Sequence, residues 1–342
     1  MKKTLLRSLA ATAALLMILS VTTPCAIAGP SDRNYLLTTA STGGTFYPVG
    51  VALSTLIKVK LQPKHKIGMS AINSAGSGEN VKLLRENEAQ FGILQGLYGY
   101  WAWNGIGAVT SDGPQKNLRS VTMLWQNVEQ FTMQSKYAKT GTMDDLNGLK
   151  GKRLALGKKN SGTLGSNTFL LKNLGFDPAK DFTLVHVGYG PSADALQNGQ
   201  VAAISTPAGV PTSAVTRAAA TMGDGLTFLN FTDAQVKKAN GGLDLWHRYV
   251  IPAGTYPKQA ADVNTIAQPN FLAVRADVDE DAVYQITKTI YENLPFLTAI
   301  HKATSAMSLE KSIEGLPMPL HPGALRYYKE AGLAVPERLI AK

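Results

Sequence analysis

The sequence predicts an α/β protein of two lobes with a ligand cleft between them, and three observations carry that expectation. Strand-like and helix-like segments alternate from Tyr35 to Leu94 and again from Arg153 to Ser205. Such alternation implies parallel sheets covered on both faces by helices. Each of these two units contains a glycine-rich turn that follows a strand-like run and opens a helix-like one. The first is Thr42-Gly43-Gly44-Thr45-Phe46-Tyr47-Pro48 and the second is Asn160-Ser161-Gly162-Thr163. A turn of this kind aims unpaired backbone N–H groups at one point beside the positive end of a helix dipole, which suits an anion. Between the two units, Val121–Leu124 and Phe131–Gln134 are strand-like runs joined without a helical spacer, as expected of a crossover between lobes. In open α/β sheets ligands bind at the carboxyl ends of the strands, so the cleft is expected there.

The elements follow in order. Leu36–Thr39 is strand-like, and Val49, Leu53 and Leu56 mark one face of a helix. Ile67–Ile72 reads as a second strand. Glu79–Arg85 reads as a short helix with Ser77 as its cap, and Phe91–Leu94 as a third strand. In the second unit the strand Arg153–Leu156 leads to a helix over Thr163–Leu174 closed by Gly175. The strand Thr183–Val187 leads to a helix over Ala193–Asn198 closed by Gly199, and Val201–Ser205 is the next strand. Glycine directly after a helical run is the expected C-cap signal. The extended run Thr265–Val274 is expected to return the chain to the first lobe, and Asp279–Leu294 and Gly323–Ala331 read as helices. The implied division is 1–28 as a leader, 29–128 as the first part of lobe 1, 129–269 as lobe 2, and 270–342 as the rest of lobe 1.

The leader is read from Lys2, Lys3 and Arg7, followed by a mostly apolar run from Leu9 to Val21 and a small-x-small signal at Ala26-Ile27-Ala28. Cleavage is expected after Ala28. The sole cysteine, Cys25, falls inside the leader, so the mature chain would carry neither disulfide nor thiol chemistry. The formal charge of +10 becomes +7 once Lys2, Lys3 and Arg7 leave. Its basic residues are scattered rather than clustered, which argues against a nucleic-acid surface. Mild steering of anionic solutes and a plain solvated surface both fit.

Several segments are similar to the TAXI group of extracytoplasmic solute-binding proteins, which serve TRAP (tripartite ATP-independent periplasmic) transporters. They are Thr42–Gly50, Gly78–Leu84, Ala89–Gln95, Leu149–Gly157, Ser161–Thr163, Ala208–Pro211, Ile251–Pro257 and Pro319–Tyr328. The resemblance implies a type II periplasmic-binding clam-shell, a periplasmic location, a monomer, and delivery of a small organic acid such as glutamate or 2-oxoglutarate to membrane subunits driven by an ion gradient. The same clam-shell serving an ATP-driven importer or a sensor is the rival reading, and an exported two-lobed enzyme a weaker one. The chain departs from the family pattern at Lys158-Lys159-Asn160 and over Gly96–Trp103, which leaves the solute open.

Candidate ligand residues follow from the turns and the resemblance together. Gly43, Gly44 and Thr45 would offer N–H groups and a hydroxyl to a carboxylate, or form no more than a tight turn with a helix cap. Phe46 and Tyr47 would wall the cleft or join the core. Ser161, Gly162 and Thr163 are the matching donor set, although Ser161 also suits an N-cap. Ser77 and Asn80 resemble polar contacts of a neighbouring loop, with capping as the competing role. Gln95 would meet the ligand or the next loop, and Thr206, Pro207, Ala208 and Gly209 would face the cleft after a strand. Glu79 would partner a ligand amine if one is present; otherwise it is a first-turn acid favoured by the helix dipole. Lys158 and Lys159 would clamp an anion or lie in solvent. Tyr98, Tyr100, Trp101 and Trp103 would floor a pocket or pack in the core. The histidines lack metal-ligand spacing, His321 reading as structural, and neither a nucleophile motif nor a nucleotide fingerprint is present. No metal, cofactor or catalytic role is therefore expected.

Overall fold

The computed structural model describes residues 32–341, so the leader, Cys25 and the cleavage site after Ala28 lie outside the described residues. Among the described residues eleven strands form two sheets. The first contains β1 (Arg33–Thr38), β2 (Ile67–Ile72), β3 (Phe91–Gln95), β4 (Leu118–Val128), β10 (His247–Ile251) and β11 (Val263–Arg275), in the order β10-β11-β3-β1-β2 with β4 also paired to β11. The second contains β5 (Phe131–Gln134), β6 (Arg153–Ala155), β7 (Thr183–Leu184), β8 (Ala203–Ser205) and β9 (Leu226–Phe228), in the order β7-β6-β8-β5-β9. The protein is thus a two-lobed α/β fold, as the sequence predicts.

The sheets are mixed rather than parallel. β1 runs parallel to β2 and β3, but β11 is antiparallel to β3, β4 and β10. In the second sheet β6 is parallel to β7 and β8, whereas β5 is antiparallel to β8 and β9. The segments that flank each crossing between sheets, β4 with β5 and β9 with β10, are all in antiparallel pairs. β4 ends in the first sheet at Val128 and β5 opens the second at Phe131, so the chain changes sheet over Glu129 and Gln130. The return lies between β9 and β10, ahead of the Thr265–Val274 run.

The helices are α1 (Phe46–His65), α2 (Ser77–Arg85), α3 (Gly96–Asn104), α4 (Gly162–Asn173), α5 (Pro178–Asp181), α6 (Tyr189–Gln197), α7 (Ser213–Met222), α8 (Asp233–Ala239), α9 (Glu280–Glu292), α10 (Leu294–Ile300) and α11 (Pro322–Glu330). α1 buries Val49, Leu53, Leu56 and Ile57 against the first sheet. The helix lies so close that a Cβ on Gly50 would stand 2.3 Å from Thr39 Cγ2. β3 is buried along its whole length, as befits a central strand covered on both faces.

Caps fix several helix starts. Ser161 Oγ accepts from Leu164 N at 3.0 Å at the head of α4, and an Asp279 oxygen accepts from Ala282 N at 2.8 Å at the head of α9. His321 heads α11, with Nδ1 accepting from Gly323 N at 3.2 Å, and burial lowers its pKa to about 4. It is a neutral cap. Ser77 is not the cap expected of it. It is the first residue of α2, behind Gly76, and its hydroxyl accepts from Gln95 N at 3.0 Å instead.

Candidate functional site

Four helices, not two, begin at one cavity between the sheets. Phe46, Ser77, Gly162 and Tyr189 are the first residues of α1, α2, α4 and α6, and all four line it. The first N–H groups of a helix have no partner within the helix, and the helix dipole adds partial positive charge there. Four such ends around one space make an environment selective for negative charge. Lys158 is the one charged residue on the lining among the described residues, and it too is basic. Gly76, at φ +118°, and Gly157, also at φ +118°, lie in the loops that lead into α2 and α4. At Gly157 a Cβ would stand 2.7 Å from Leu164 N, so only glycine lets that loop pass so near the helix end.

The space left unfilled by protein amounts to about 470 Å³ counted out to its open mouth, but the centre of a water molecule can move through only about 30 Å³ of it. That inner room corresponds to about two or three waters. The enclosed part of the cavity is small.

The structure brings ten of the fifteen expected ligand residues to this cavity. They are Gly44, Thr45, Phe46, Ser77, Gln95, Ser161, Gly162, Thr163, Pro207 and Ala208. The other five stand behind it. Asn80 is fully buried and spent on internal bonds: its Nδ2 donates to Thr39 O at 2.7 Å and to Ile93 O at 2.9 Å, and its Oδ1 accepts from Thr38 Oγ1 at 2.6 Å. It ties together the ends of β1 and β3, a structural task. Thr206 is buried, its N–H donating to Gln130 O at 3.1 Å. Gly43 faces Gly190, where a Cβ would stand 2.9 Å from Gly190 N, and Gly209 accepts from Thr45 Oγ1 at 3.2 Å. Tyr47 lies in the first turn of α1 off the lining.

Among the residues that are on the lining, Ser161 Oγ is committed to capping and to donating to Lys158 O at 2.7 Å. Its neighbour Gly162 is wedged against the other lobe, since a Cβ there would stand 2.7 Å from Gln95 Oε1 and 2.8 Å from Ser77 Oγ. Gln95 is 3 % exposed, and its Oε1 has no hydrogen-bond partner in the protein.

Of the other residues weighed from sequence, Lys158 is on the lining and Lys159 is not. Glu79 is not on the lining and accepts from Ala75 N at 2.5 Å. Tyr98 and Trp101 are buried in the core edge to face, 5.1 Å between centroids, and Trp103 lies under Lys116 at 4.0 Å.

Sequence reasoning missed Tyr189. Its hydroxyl donates to Pro207 O at 2.6 Å and meets Thr163 Oγ1 at 2.7 Å, and its ring would lie 3.1 Å from a Cβ on Gly44. Burial raises its pKa, only partly offset by the Thr163 bond, so it stays a neutral donor. Ala40, Ser41, Ala75, Gly76, Val187 and Gly188 complete the lining and were also missed.

The chain matches the NMT1-like family over residues 37–332 and belongs to it. Among solved structures it is similar to the binding-protein component of an ABC phosphonate transporter from Pseudomonas aeruginosa. The two are 10 % identical, with 84 % of each chain covered and a TM-score of 0.52. It is also similar to the periplasmic binding protein BugD, at 12 % identity over 88 % of this chain and 95 % of the other, with a TM-score of 0.51. A third similarity is to the alkanesulfonate-binding protein SsuA from Xanthomonas axonopodis pv. citri bound to MOPS, at 13 % identity over 89 % and 92 % of the chains, with a TM-score of 0.47. The first two establish the fold as that of the two-lobed periplasmic binding proteins. Among the described residues no helix is long and apolar enough to cross a membrane.

Proposed function

We propose that this is a periplasmic solute-binding protein that closes on one small anionic solute and hands it to a membrane transporter. The observation that carries the reading is the meeting of four helix N-termini and Lys158 at one compact cavity between lobes. A solute that touches both lobes only when they are together supplies the differential affinity that closure needs. The ten expected residues on the lining are the proposed site, with Tyr189, Ser41 and Lys158 added. The lobes are proposed to divide near Glu129–Gln130 and between β9 and β10. The proposed role needs no catalysis.

The acid group would be a carboxylate, as the TAXI resemblance implies, or a tetrahedral oxyanion, since backbone N–H groups at helix ends serve either. For the membrane partner an ATP-driven importer is favoured over the TRAP type. The fold neighbour from Pseudomonas aeruginosa is a component of an ABC transporter, and membership of the NMT1-like family does not call for a TRAP permease. Uptake into vesicles carrying the co-encoded permease separates the two: dependence on ATP supports the importer, and dependence on an ion gradient supports TRAP.

The test of the site is thermal shift against a panel of small carboxylates, sulfonates and phosphonates, repeated with Gly44→Val. The larger side chain would collide with the Tyr189 ring. Stabilisation of the native protein that the variant loses, while it stays folded, is the expected result. Wild-type affinity in Gly44→Val would count against the site.

A further inference from the structure

We infer that the solute is an acid without an ammonium group, and that the Gln95 side chain reads the part of it that is not the acid. This rests on the anion-site reading above and narrows it. The charged or partly charged groups at the cavity are positive: the leading N–H groups of four helices and the side chain of Lys158.

Several of the lining carbonyls already accept a bond within the protein. Ser41 O accepts from Gly44 N at 3.2 Å, and Lys158 O from Ser161 Oγ at 2.7 Å. Ser161 O accepts from Tyr98 Oη at 3.2 Å, Gly188 O from Ser192 N at 2.9 Å, and Pro207 O from Tyr189 Oη at 2.6 Å. Among the described residues no carboxylate is on the lining. Glu79, the acid closest in sequence to a lining helix start, is turned to Ala75 N. An ammonium enclosed here would lose its water and meet no carboxylate, beside Lys158 and four positive helix ends. Burying a charge so poorly paired is costly.

Gln95 is the independent sign that a ligand belongs here. It is nine-tenths buried and on the lining, and its amide oxygen beside Gly162 meets no protein donor. Buried polar atoms are rarely left so. A primary amide can present its carbonyl to a hydroxyl or, turned over, its NH2 to a keto or carboxylate oxygen. A carboxylate in its place would accept only.

Matched pairs that differ in the amine test this by titration calorimetry: 2-oxoglutarate with L-glutamate, succinate with L-aspartate, and propanesulfonate with 3-aminopropanesulfonate. The amine-free member of whichever pair binds is expected to be tighter by at least about 30-fold. Gln95→Ala is expected to weaken that member about tenfold or more, and Gln95→Glu to erase or reverse the preference. An amino member that binds as tightly as its partner, or tighter, would overturn the inference and leave the anion site standing. Failure of every pair would remove the anion-site reading itself, and the inference with it. Unchanged preference in both Gln95 variants would overturn the role given to Gln95.

Discussion

The lobes meet along two seams on either side of the cavity, and the seams are made of different material. On one, small residues meet through single hydrogen bonds. Gly43 faces Gly190, Thr45 Oγ1 donates to Gly209 O at 3.2 Å, and the exposed Ser213 donates from Oγ to Gly43 O at 3.0 Å. On the other, a buried tyrosine enters the facing lobe. Tyr98 Oη donates to Ser161 O, Glu79 N donates to Asn160 O at 3.0 Å, and Gly78 and Gly165 give the close approach. Behind it Trp101 meets Phe169 edge to face and Phe169 stacks on Trp246, each at 5.8 Å. Water can replace the bonds of the first seam at little net cost, but it cannot replace apolar area. The first seam is therefore where opening should begin, with the aromatic side holding longer.

The largest effect should come from breaking the aromatic seam. A Cβ on Gly165 would stand 1.9 Å from Tyr98 Oη, so Gly165→Ala should force α4 and α3 apart although alanine is the better helix former. Solute binding should be abolished and the radius of gyration should rise in small-angle scattering. An unchanged affinity would show that this seam is not needed for closure.

Next in size is a pH effect at the crossover beside the same seam. Glu129 is buried, Trp246 Nε1 donates to its Oε1 at 3.1 Å, and burial raises its pKa from 4.5 to about 7. The unfolded chain releases this proton near pH 4.5 while the folded protein holds it, so the destabilisation is absent below pH 4.5 and complete above pH 7. Glu129→Gln should remove a loss of up to about 3 kcal/mol between those limits. The check is the change in denaturation midpoint between pH 4.5 and pH 8 in both proteins; equal changes would contradict it.

The smallest effects compare the seams directly. Tyr98→Phe removes the buried one of two donors to Ser161 O, Gly165 N remaining, and should weaken solute binding by about 1 kcal/mol, whereas the exposed Ser213→Ala should cost less. Calorimetry with the same solute measures both. A larger loss from Ser213→Ala would reverse the order of the seams.

Parts of both lobes were legible where the pattern is local. Ile67–Ile72 is a strand over the predicted residues, as is Phe131–Gln134. Gly175 and Gly199 follow helix ends as read. The second sheet was harder, since its strands are only two to four residues long and give periodicity little to act on. Thr183–Val187 was read as five residues, and its ladder spans Thr183–Leu184. β9 and β10 were not seen at all. Two of the helix starts at the site were visible as glycine-rich turns. The start of α6 was not, because Tyr189 is tied to the cavity by Thr163, 26 residues away. Ser77 was misjudged for a related reason: its hydroxyl serves Gln95 N, 18 residues on, in place of its own helix.

The most direct test of the central claim, that four helix ends converge to hold a small acid, is native mass spectrometry of the protein as purified. Unfolding would then release any bound molecule for identification. The account predicts a compact acid without an amine, displaced in the Gly44→Val protein. A bound cation, or a neutral molecule with no acid group, would contradict it.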